Sequence, residues 1–233
     1  MTGRLYIVSV PIGNYGDMTV RAVETLKNAD LVACEDTRKT GILLKHFGIE
    51  GKLFSYHDHN ENFRTAQLVE KLLAGENVAV VSDAGTPCIS DPGYRIVRAA
   101  RENGIAVEGV PGACAAINAL VVSGMPTDSF VFEGFLPHKK GRNTKLKELF
   151  SEKKTIILYE SVHRIEKLIT ELSEIMPDRR ICVMREMTKI YEEHLNGLPG
   201  EVLAELKKKT PKGEFVIVIE GSSVSSKSKS REN

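Results

Sequence analysis

The sequence predicts an α/β protein of two α/β domains, the first built on a parallel, doubly wound five-stranded sheet with helices on both faces. Two observations predict this. Short apolar runs alternate with helical patterns, and a Gly-Met-Pro-Thr-Asp segment at residues 124–128 interrupts the alternation. The charge balance also changes there: residues 1–124 carry 12 Lys and Arg against 14 Asp and Glu, and residues 125–233 carry 20 against 17.

The first domain, residues 1–124, is predicted from five apolar runs that are each followed by a helical pattern. The predicted strands are residues 5–10, 31–35, 53–56, 78–82 and 106–110, and the predicted helices are residues 19–28, 37–47, 60–74, 93–103 and 113–123. Parallel neighbours need a connection of helix length between them, so the alternation indicates a parallel sheet.

The second domain, residues 125–221, shows the same alternation. Its predicted strands are residues 129–134, 155–159, 180–185 and 215–220, and its predicted helices are residues 143–151 and 162–175. Residues 222–233 are rich in Ser and Lys and contain almost nothing apolar, so we expect them to form a disordered tail.

The composition argues against several classes of protein. With 42% hydrophobic residues the chain can bury a substantial core. Its longest apolar runs, such as residues 78–81 and 215–219, are too short to cross a bilayer, and we expect no secretion signal. The four cysteines are scattered without a CxxC pair or metal-ligand spacing. We therefore expect a cytoplasmic protein with neither a disulfide framework nor a zinc site.

The most informative segment is residues 82–93, Ser-Asp-Ala-Gly-Thr-Pro-Cys-Ile-Ser-Asp-Pro-Gly, which directly follows an apolar run. It predicts a shaped turn at the carboxyl end of a buried strand, where open α/β sheets bind ligands. Two more Gly-containing turns, residues 11–16 and 110–116, follow the first and fifth predicted strands. Together the three turns predict one ligand cleft. The sequence contains neither GxGxxG nor GxxxxGK[ST], which disfavours nicotinamide and nucleoside triphosphate sites.

Nine segments resemble those of a known family. They are VPIGN at 10–14, ACEDTR at 33–38, SYHDHNE at 55–61, SDAGTPCISDPG at 82–93, VPGACAAINAL at 110–120, GFLPHKKGR at 134–142, YESVHRI at 159–165, REMTKIYEE at 185–193 and GEFVIVIEG at 213–221. Across residues 5–221 the chain resembles the ribosomal RNA methyltransferases of the tetrapyrrole methylase superfamily. The resemblance implies that the second domain has a mixed sheet and that S-adenosylmethionine (SAM) binds in the cleft between the two domains.

The resemblance also implies an activity. It is methyl transfer to the ribose 2′-oxygen of a decoding-site cytidine in the 16S rRNA of the small ribosomal subunit, by a homodimer. A sulfonium methyl group is already activated, so the reaction requires alignment and the removal of one proton but no metal. Two alternatives stay open: a methylase of a tetrapyrrole or other small molecule, because fold does not settle substrate, and a non-catalytic SAM-binding module.

The same resemblance implies which residues would bind the cofactor. They are Ile12, Gly13, Asp83, Ala84, Gly85, Thr86, Ile89, Cys114 and Ala115 in the first domain, and Glu160, Ser161, Met187, Thr188, Gly213 and Glu214 in the second. Backbone carbonyls and amides at such turns suit a ligand that carries both a positive sulfonium and an amino acid end.

A ribose hydroxyl also needs a proton acceptor during the transfer. The candidate catalytic carboxylates are Glu35, Asp36, Asp83 and Glu186. Asp36 could instead cap the helix that follows it. The candidate RNA-binding residues are Arg38, His57, Lys139, Lys140, Arg142, Arg164 and Arg185. Any of these arginines could instead form a surface or interdomain ion pair.

The His57-Asp58-His59 segment has two interpretations. The two imidazoles would share one face of a strand and could bind a metal ion. The sequence places no third ligand nearby, so a structural or RNA-contacting role is the stronger hypothesis and we predict no metal site.

Overall fold

A computed structural model describes residues 1–222 of the protein. The predicted disordered tail therefore lies outside the described residues, apart from Ser222. The chain divides into two compact units, the first spanning Met1–Cys114 and the second beginning at Ala115. Within residues 1–222, no helix combines the length and the apolar character that crossing a membrane would need.

The first unit alternates strands with helices. Its elements are β1 (Arg4–Val8), α1 (Val20–Asn28), β2 (Leu31–Cys34), α2 (Thr37–His46), β3 (Leu53–Ser55), α3 (Glu61–Leu73), β4 (Val78–Val81), α4 (Tyr94–Glu102) and β5 (Ala106–Val110). The strand order is β3-β2-β4-β1-β5, and every neighbouring pair is parallel. This confirms the predicted parallel five-stranded sheet.

The central strand β4 shows why helices cover both faces of this sheet. All four of its residues are buried, and successive side chains of a strand point to opposite faces. Val78 and Val80 pack into a cluster with residues of α3 and α4, whereas Ala79 and Val81 pack into a second cluster with residues of α1 and α2. A continuous apolar run is therefore the sequence signature of a strand that is buried on both sides.

Two helices of the first unit begin where the sequence supplies a capping side chain. The Thr19 hydroxyl accepts the backbone N–H of Ala22 at the start of α1, at 3.1 Å. The Asp36 carboxylate accepts the backbone N–H of Arg38 at the start of α2, at 2.9 Å. Each cap satisfies one of the free amides at a helix N-terminus.

The second unit contains a different sheet. Its elements are α5 (Ala115–Val122), β6 (Phe130–Phe135), α6 (Arg142–Phe150), β7 (Thr155–Ser161), α7 (Ile165–Ile175), β8 (Ile181–Arg185), β9 (Glu193–Gly197), α8 (Pro199–Leu206) and β10 (Glu214–Ile219). The strand order is β6-β7-β10-β8-β9, in which β6 and β7 are parallel and the other pairs antiparallel. The sheet is mixed, as the resemblance implies.

The core of the second unit lies between one face of this sheet and helices α6, α7 and α8. Helix α5 contacts β7 and β10, which explains why this unit begins at Ala115. The division therefore falls before the predicted boundary at residue 124. The sequence patterns also did not predict β9 and α8. Strand β9 reads Glu-His-Leu-Asn-Gly and lies at the sheet edge, so it has little apolar signal.

Candidate functional site

Two turns of the first unit are joined at the carboxyl end of its sheet. The backbone of Val10, after β1, exchanges two hydrogen bonds with Gly85, after β4, at 2.9 and 3.1 Å. Gly85 has φ +81° and is buried, and a Cβ at this position would lie 3.1 Å from Cγ2 of Ile12. Glycine is needed here for both its conformation and the close approach of the neighbouring turn.

The turn after β5 joins the same place. The Thr86 hydroxyl donates to the carbonyl of Ala113 at 3.0 Å and lies 2.9 Å from the Ser9 hydroxyl. A Cβ on Gly112 would lie only 2.9 Å from the Cβ of Ser9. The structure therefore brings together the three turns, residues 9–13, 82–93 and 110–114, which we call the turn cluster. It contains all the first-domain residues predicted to bind the cofactor except Ala115, which begins α5.

Backbone strain falls in the loops that the sequence singles out. Among the described residues, four that are not glycine have a positive φ: Cys88 at 72°, Ser90 at 62°, Glu186 at 50° and Thr188 at 65°. The first two lie in the 82–93 segment and the other two in the segment after β8. Left-handed backbone is unfavourable for side-chain-bearing residues and is concentrated at functional sites in proteins, so these two loops are the strongest candidates.

Four carboxylates interact at the carboxyl edge of the first sheet, and we call Glu35, Asp58, Asp83 and Asp91 the carboxylate group. Asp83 is held by the Lys39 ammonium at 2.6 Å and by the backbone N–H of Asp36 at 3.1 Å. Glu35 and Asp91 accept no hydrogen bond from any residue that the structure describes. Together with Asp58, which also accepts none, they are the chemically uncommitted members of the group.

The surroundings of these two carboxyl groups make them hold protons more tightly. Burial and the charges of Glu35, Asp83 and Asp58 raise the pKa of Asp91 to about 7. Burial and the charges of Asp83 and Asp58 also raise the pKa of Glu35 above its ordinary value. Both effects disfavour the ionised form, since charge is costly both away from water and beside like charge.

The other candidate proton acceptors are engaged. Asp36 caps α2, and its hydrogen bonds with the Arg38 guanidinium and amide hold the pKa of its carboxyl well below its usual range. Partial burial of Glu186 favours a raised pKa, but hydrogen bonds from the Lys189 ammonium and the Glu214 amide lower it overall. Of the four predicted acceptors, Glu35 alone has a carboxylate without a hydrogen-bonding partner among residues 1–222.

Asp91 is the site residue that sequence reasoning missed. It is the second aspartate of the 82–93 segment, for which the sequence predicts a turn without indicating a role for this carboxylate. Its proximity to Glu35 depends on the pairing of β2 with β4, which places the two strand ends side by side. The doubled Asp in that segment was the available signal.

The His57 ring is fixed by its own loop. Asn60 accepts the backbone N–H of His57 through Oδ1 at 2.9 Å, which directs its Nδ2 toward the ring Nε2, also at 2.9 Å. Nε2 therefore accepts a hydrogen bond, and the buried Nδ1 carries the ring proton without a partner in the described structure. The rings of His57 and His59 lie 6.0 Å apart, and residues 1–222 contain no group of three His, Cys, Asp or Glu side chains suited to a metal ion.

Two loops of the second unit, residues 186–189 and 213–214, lie together, and we call them the loop pair. They contain four further residues that are predicted to bind the cofactor. Glu186 and Glu214 hydrogen bond through their backbones at 3.0 Å. Gly213 has φ +89°, and a Cβ there would lie 2.5 Å from the Glu186 side chain. Met187 is buried, and the buried hydroxyl of Thr188 has no hydrogen-bonding partner in the part of the chain described. An unsatisfied buried hydroxyl is costly, so the loop pair has a free polar group for a ligand.

The two other second-domain residues lie at the carboxyl end of β7. The Glu160 side chain is fully buried, and its Oε1 accepts the Ser161 amide at 2.9 Å and Arg164 Nε at 2.7 Å. Its Oε1 is therefore committed to protein groups, whereas the buried Oε2 has no hydrogen-bonding partner among the described residues and lies 3.8 Å from Arg142 Nη1. Ser161 is half-buried.

The predicted RNA-binding cations separate into two kinds. Arg142 is buried and its guanidinium is bound to Glu171, while Arg164 is bound to Glu160. This argues for internal roles in place of the predicted RNA contacts, because both guanidiniums are already bound to carboxylates and neither side chain is more than 15% exposed. By contrast, Lys139 and Lys140 are exposed and form no ion pair with the described residues.

The two remaining predicted arginines have partners. Arg38 is exposed and paired with Asp36. Arg185 is half-buried and donates to the Lys212 carbonyl at 2.6 Å and to Glu193 at 3.3 Å. Arg38 can exchange its partner for a phosphate at little cost, because exposed ion pairs are weak.

Comparison with known proteins gives one family. Residues 4–203 match the sequence model of the tetrapyrrole (corrin/porphyrin) methylases. The ribosomal RNA small subunit methyltransferase I of Escherichia coli O157:H7 is 50% identical over 224 residues, which cover 94% of this chain and 78% of the relative. That of Synechocystis sp. (strain ATCC 27184 / PCC 6803 / Kazusa) is 52% identical over 221 residues, covering 94% and 79%.

Solved structures share the fold. Diphthine synthase matches with a TM-score of 0.74 at 18% identity, covering 94% of this chain and 90% of that one. Uroporphyrin-III C-methyltransferase from Thermus thermophilus, complexed with S-adenosyl homocysteine, matches with a TM-score of 0.63 at 21% identity, covering 93% and 97%. These likenesses confirm the predicted fold class.

Proposed function

Because the chain belongs to the tetrapyrrole methylase family, and within it to the ribosomal RNA small subunit methyltransferase I group, we propose that it methylates the RNA of the small ribosomal subunit with SAM as methyl donor. The observation that carries this proposal is identity at half of the aligned positions over 94% of the chain. We further propose that the acceptor is the ribose 2′-oxygen of cytidine 1402, at the decoding site of 16S rRNA.

The residues present suit a SAM ligand. Gly13 and Gly112 of the turn cluster are exposed and carry no side chain, so a ligand can approach the main chain there. The buried Thr188 hydroxyl of the loop pair is left for a hydrogen bond. The carboxylate group gives the edge of the first sheet a negative potential, which favours a cation such as a sulfonium.

In this proposal the chain binds and orients the methyl donor and its acceptor, and the donor itself is already reactive. When bound, SAM supplies a methyl group activated by its sulfonium sulfur. The residues that would hold the donor are Ile12, Gly13 and residues 83–89 of the turn cluster in the first unit, and the candidates in the second unit are Thr188 and Gly213 of the loop pair. Fixing two reactants in one geometry removes most of the entropy cost of bringing them together, which is the main contribution needed from the protein.

Glu35 is the proton acceptor in this proposal. The Glu35 carboxylate would accept the proton of the 2′-hydroxyl as that oxygen took the methyl group and the methyl–sulfur bond broke, which would release S-adenosyl homocysteine. Its raised pKa and its lack of a hydrogen-bonding partner support this role over Asp36, Asp83 and Glu186. A base is most effective when its pKa approaches the working pH. The engaged carboxylates would first have to give up their own partners.

RNA would be held by basic side chains of both units. We keep Arg38, His57, Lys139, Lys140 and Arg185 as candidate RNA contacts, and we assign Arg142 and Arg164 internal roles because of their burial. Phosphate contacts position a nucleic acid without reading its sequence. We also propose that the protein is a homodimer and that it acts in the cytoplasm, where small subunits are made.

The test is to incubate the protein with methyl-labelled SAM and small subunits that lack the modification, and to map the product by mass spectrometry. We expect one label, on the ribose of cytidine 1402. A label on a base or on another nucleotide would contradict the proposed acceptor position. Transfer to a tetrapyrrole, with none to the RNA of the particle, would contradict the proposed substrate.

A further inference from the structure

The second unit contains a buried network of four charged side chains, Arg142, Glu160, Arg164 and Glu171. Arg142 donates to Glu171 at 2.7 and 2.9 Å, and Arg164 donates to Glu160 at 2.6 and 2.7 Å. Arg142 and Glu160 are 3% and 2% exposed, with their nearest charged atoms 3.8 Å apart. Two positive and two negative groups balance, which is the condition for keeping charge inside a protein.

Both guanidiniums also hold the main chain where β6 ends. Arg164 Nη1 donates to the carbonyl of Leu136 at 3.1 Å, and Arg142 Nη1 donates to the carbonyl of Pro137 at 3.3 Å. The two carbonyls are consecutive. A planar guanidinium can donate to a carboxylate and a carbonyl at once in fixed directions, which an ammonium cannot do.

The segment that follows, residues 138–141, is exposed along its whole length, and we call it the cationic loop. It begins at the tethered Pro137 and ends at Arg142, the first residue of α6. Within it the Arg142 amide donates to the Lys139 carbonyl at 3.3 Å, and Gly141 adopts φ +84°. The network therefore fixes both ends of a short turn that has no buried side chain of its own.

The cations of this loop are unpaired, unlike Lys145 of the adjacent helix. Lys145 on α6 pairs with Glu133 at 2.8 Å, whereas Lys139 and Lys140 have no ion pair with any residue that the structure describes. Two free, adjacent ammonium groups on a fixed turn suit the closely spaced phosphates of a nucleic acid chain.

The neighbouring surface favours RNA as the occupant. A groove of about 420 Å³ lies beside the loop and is lined in part by Phe135, Pro137 and Thr144. Phe135 is 54% exposed and directly precedes the tethered segment. An exposed aromatic ring next to free cations is the combination with which proteins hold unpaired RNA bases and their phosphates.

We propose that Arg142 and Arg164 are positioning residues, which fix the cationic loop so that Lys139 and Lys140 bind phosphates of the RNA substrate. This inference rests on the proposed function, because it takes RNA as the substrate. A stable core does not require such a network, since apolar residues of similar volume commonly stabilise a protein as well. The two arginines add hydrogen bonds of fixed direction to the carbonyls of Leu136 and Pro137.

The test uses Arg142→Lys and Arg164→Lys, which keep the charge but lose the planar fork. The matched control is Arg179→Lys, because Arg179 is also a buried arginine of this unit and donates only to groups elsewhere, such as the Glu220 carbonyl at 2.6 Å. If Arg142→Lys does not fold, the Arg164→Lys variant, at a site with a 15% exposed side chain, carries the test.

Three measurements separate positioning from stability. Native-state trypsin cleavage after Lys139 and Lys140 reports the order of the loop, and we expect it to be about tenfold faster in both loop-tether variants. The KM for small subunits should rise about tenfold with kcat little changed, since uniform binding is lost. SAM affinity, measured by calorimetry, should stay within about twofold of the wild-type value. Arg179→Lys should leave the trypsin rate and the KM unchanged.

The cations themselves are tested by replacing Lys139 and Lys140 with alanine together. The slope of log affinity against log salt for a 16S rRNA fragment should fall by about 1.4 to 1.8, for two lost phosphate contacts. Replacing Lys27 and Lys52, which are exposed and unpaired in the first unit, removes the same charge and should change the slope by less than about half as much.

The outcomes distinguish this inference from the proposed function. Wild-type protein that neither binds nor methylates small-subunit RNA would overturn the proposed function. Wild-type protein that does so, with Arg142→Lys and Arg164→Lys behaving like Arg179→Lys in cleavage rate and KM, would overturn the positioning role. An unchanged salt slope in the double lysine variant would overturn the assignment of the loop to phosphates.

Discussion

The two units treat their ionisable side chains in opposite ways. In the first, Glu35 and Asp91 lie near other carboxylates, and neither has a hydrogen-bonding partner among the described residues. In the second, Arg142 and Glu160 are more deeply buried, yet each is balanced by an opposite charge. Uncompensated groups with shifted pKa values are typical of reacting sites, whereas balanced pairs hold the architecture. Depth of burial is therefore a poor guide to chemistry in this protein.

The two units agree in where they strain the backbone. Cys88 and Ser90 in the first and Glu186 and Thr188 in the second are left-handed without being glycine. Each pair lies in a loop that the sequence analysis predicts to bind the cofactor. Strain of this kind persists only where the surrounding structure imposes it. The two units thus share strained loops but differ in how their buried charges are compensated.

The largest expected effect is the loss of stability when the balanced network is broken. Arg142→Met removes the close countercharge of Glu171 and leaves Glu160 with Arg164 alone, so we expect the free energy of unfolding in urea to fall by about 3 to 5 kcal/mol. The control is Arg38→Met, at an ion pair whose arginine side chain is 87% exposed. It should leave the free energy of unfolding nearly unchanged, because an exposed ion pair is weak. Equal losses in the two variants would show that the network is not the stabilising feature we infer.

The next effect is on rate. Glu35→Gln keeps the shape of the side chain but cannot take the proton, so we expect methyl transfer to small subunits to slow by about 100-fold or more, with SAM affinity preserved. The wild-type rate should fall as the pH is lowered through the raised pKa of Glu35, and the Gln variant should not follow that profile. Glu24→Gln, an exposed carboxylate on α1, is the control. A Glu35→Gln enzyme with the wild-type rate would return the role to Asp83 or Asp91.

How far the sequence predicted this molecule depends on how local each signal is. The strands of the first unit were predicted because apolar runs such as that of β4 directly record burial on two faces. Strand β9 was not, because its pairing with β8 lies across a loop and its own residues are mostly polar. The turn cluster was predicted from glycines and prolines, which mark turns wherever they occur.

The pairing of charged residues was less predictable, because the partners lie far apart in the sequence. Arg142 stands in a basic stretch that resembles an exposed RNA-binding surface, and its partner Glu171 is 29 positions away. Similarly, nothing local to Asp91 indicates that Glu35 is its neighbour. Electrostatic pairing is set by the tertiary fold, so a sequence pattern identifies which residues are charged without identifying which are paired.

A smaller effect on SAM affinity is expected from substituting one of two glycines that have a left-handed backbone. Gly85→Ala and Gly48→Ala both place a side chain at positive φ, and each should cost about 1 kcal/mol of stability. At Gly85 the new Cβ also lies 3.1 Å from Ile12, whereas at Gly48 nothing lies within 4 Å. We therefore expect only Gly85→Ala to weaken SAM binding in calorimetry, by about tenfold, because only that turn would shift. Equal SAM affinity in both variants would argue against the turn cluster as the cofactor site.

The smallest effect tests the carboxylate group through pH. The pKa of Asp91 is about 7 in the folded protein and near 4 in the unfolded chain, so the folded state binds the proton more tightly. The stability that this binding contributes is complete below pH 4 and is lost as the pH rises through 7. At pH 8 the wild-type protein therefore contains a disfavoured charge, which Asp91→Asn removes.

We expect Asp91→Asn to stabilise the protein by about 1 kcal/mol at pH 8, a value reduced from the full linkage effect because Asp91 keeps some solvent contact. The gain should shrink toward zero as the pH approaches 4. Urea unfolding at both pH values measures it, with the exposed Asp128→Asn as the control. A gain of equal size at pH 8 and pH 4 would mean that the substitution acts through packing. The uncompensated charge at the edge of the first sheet would then no longer distinguish the two units.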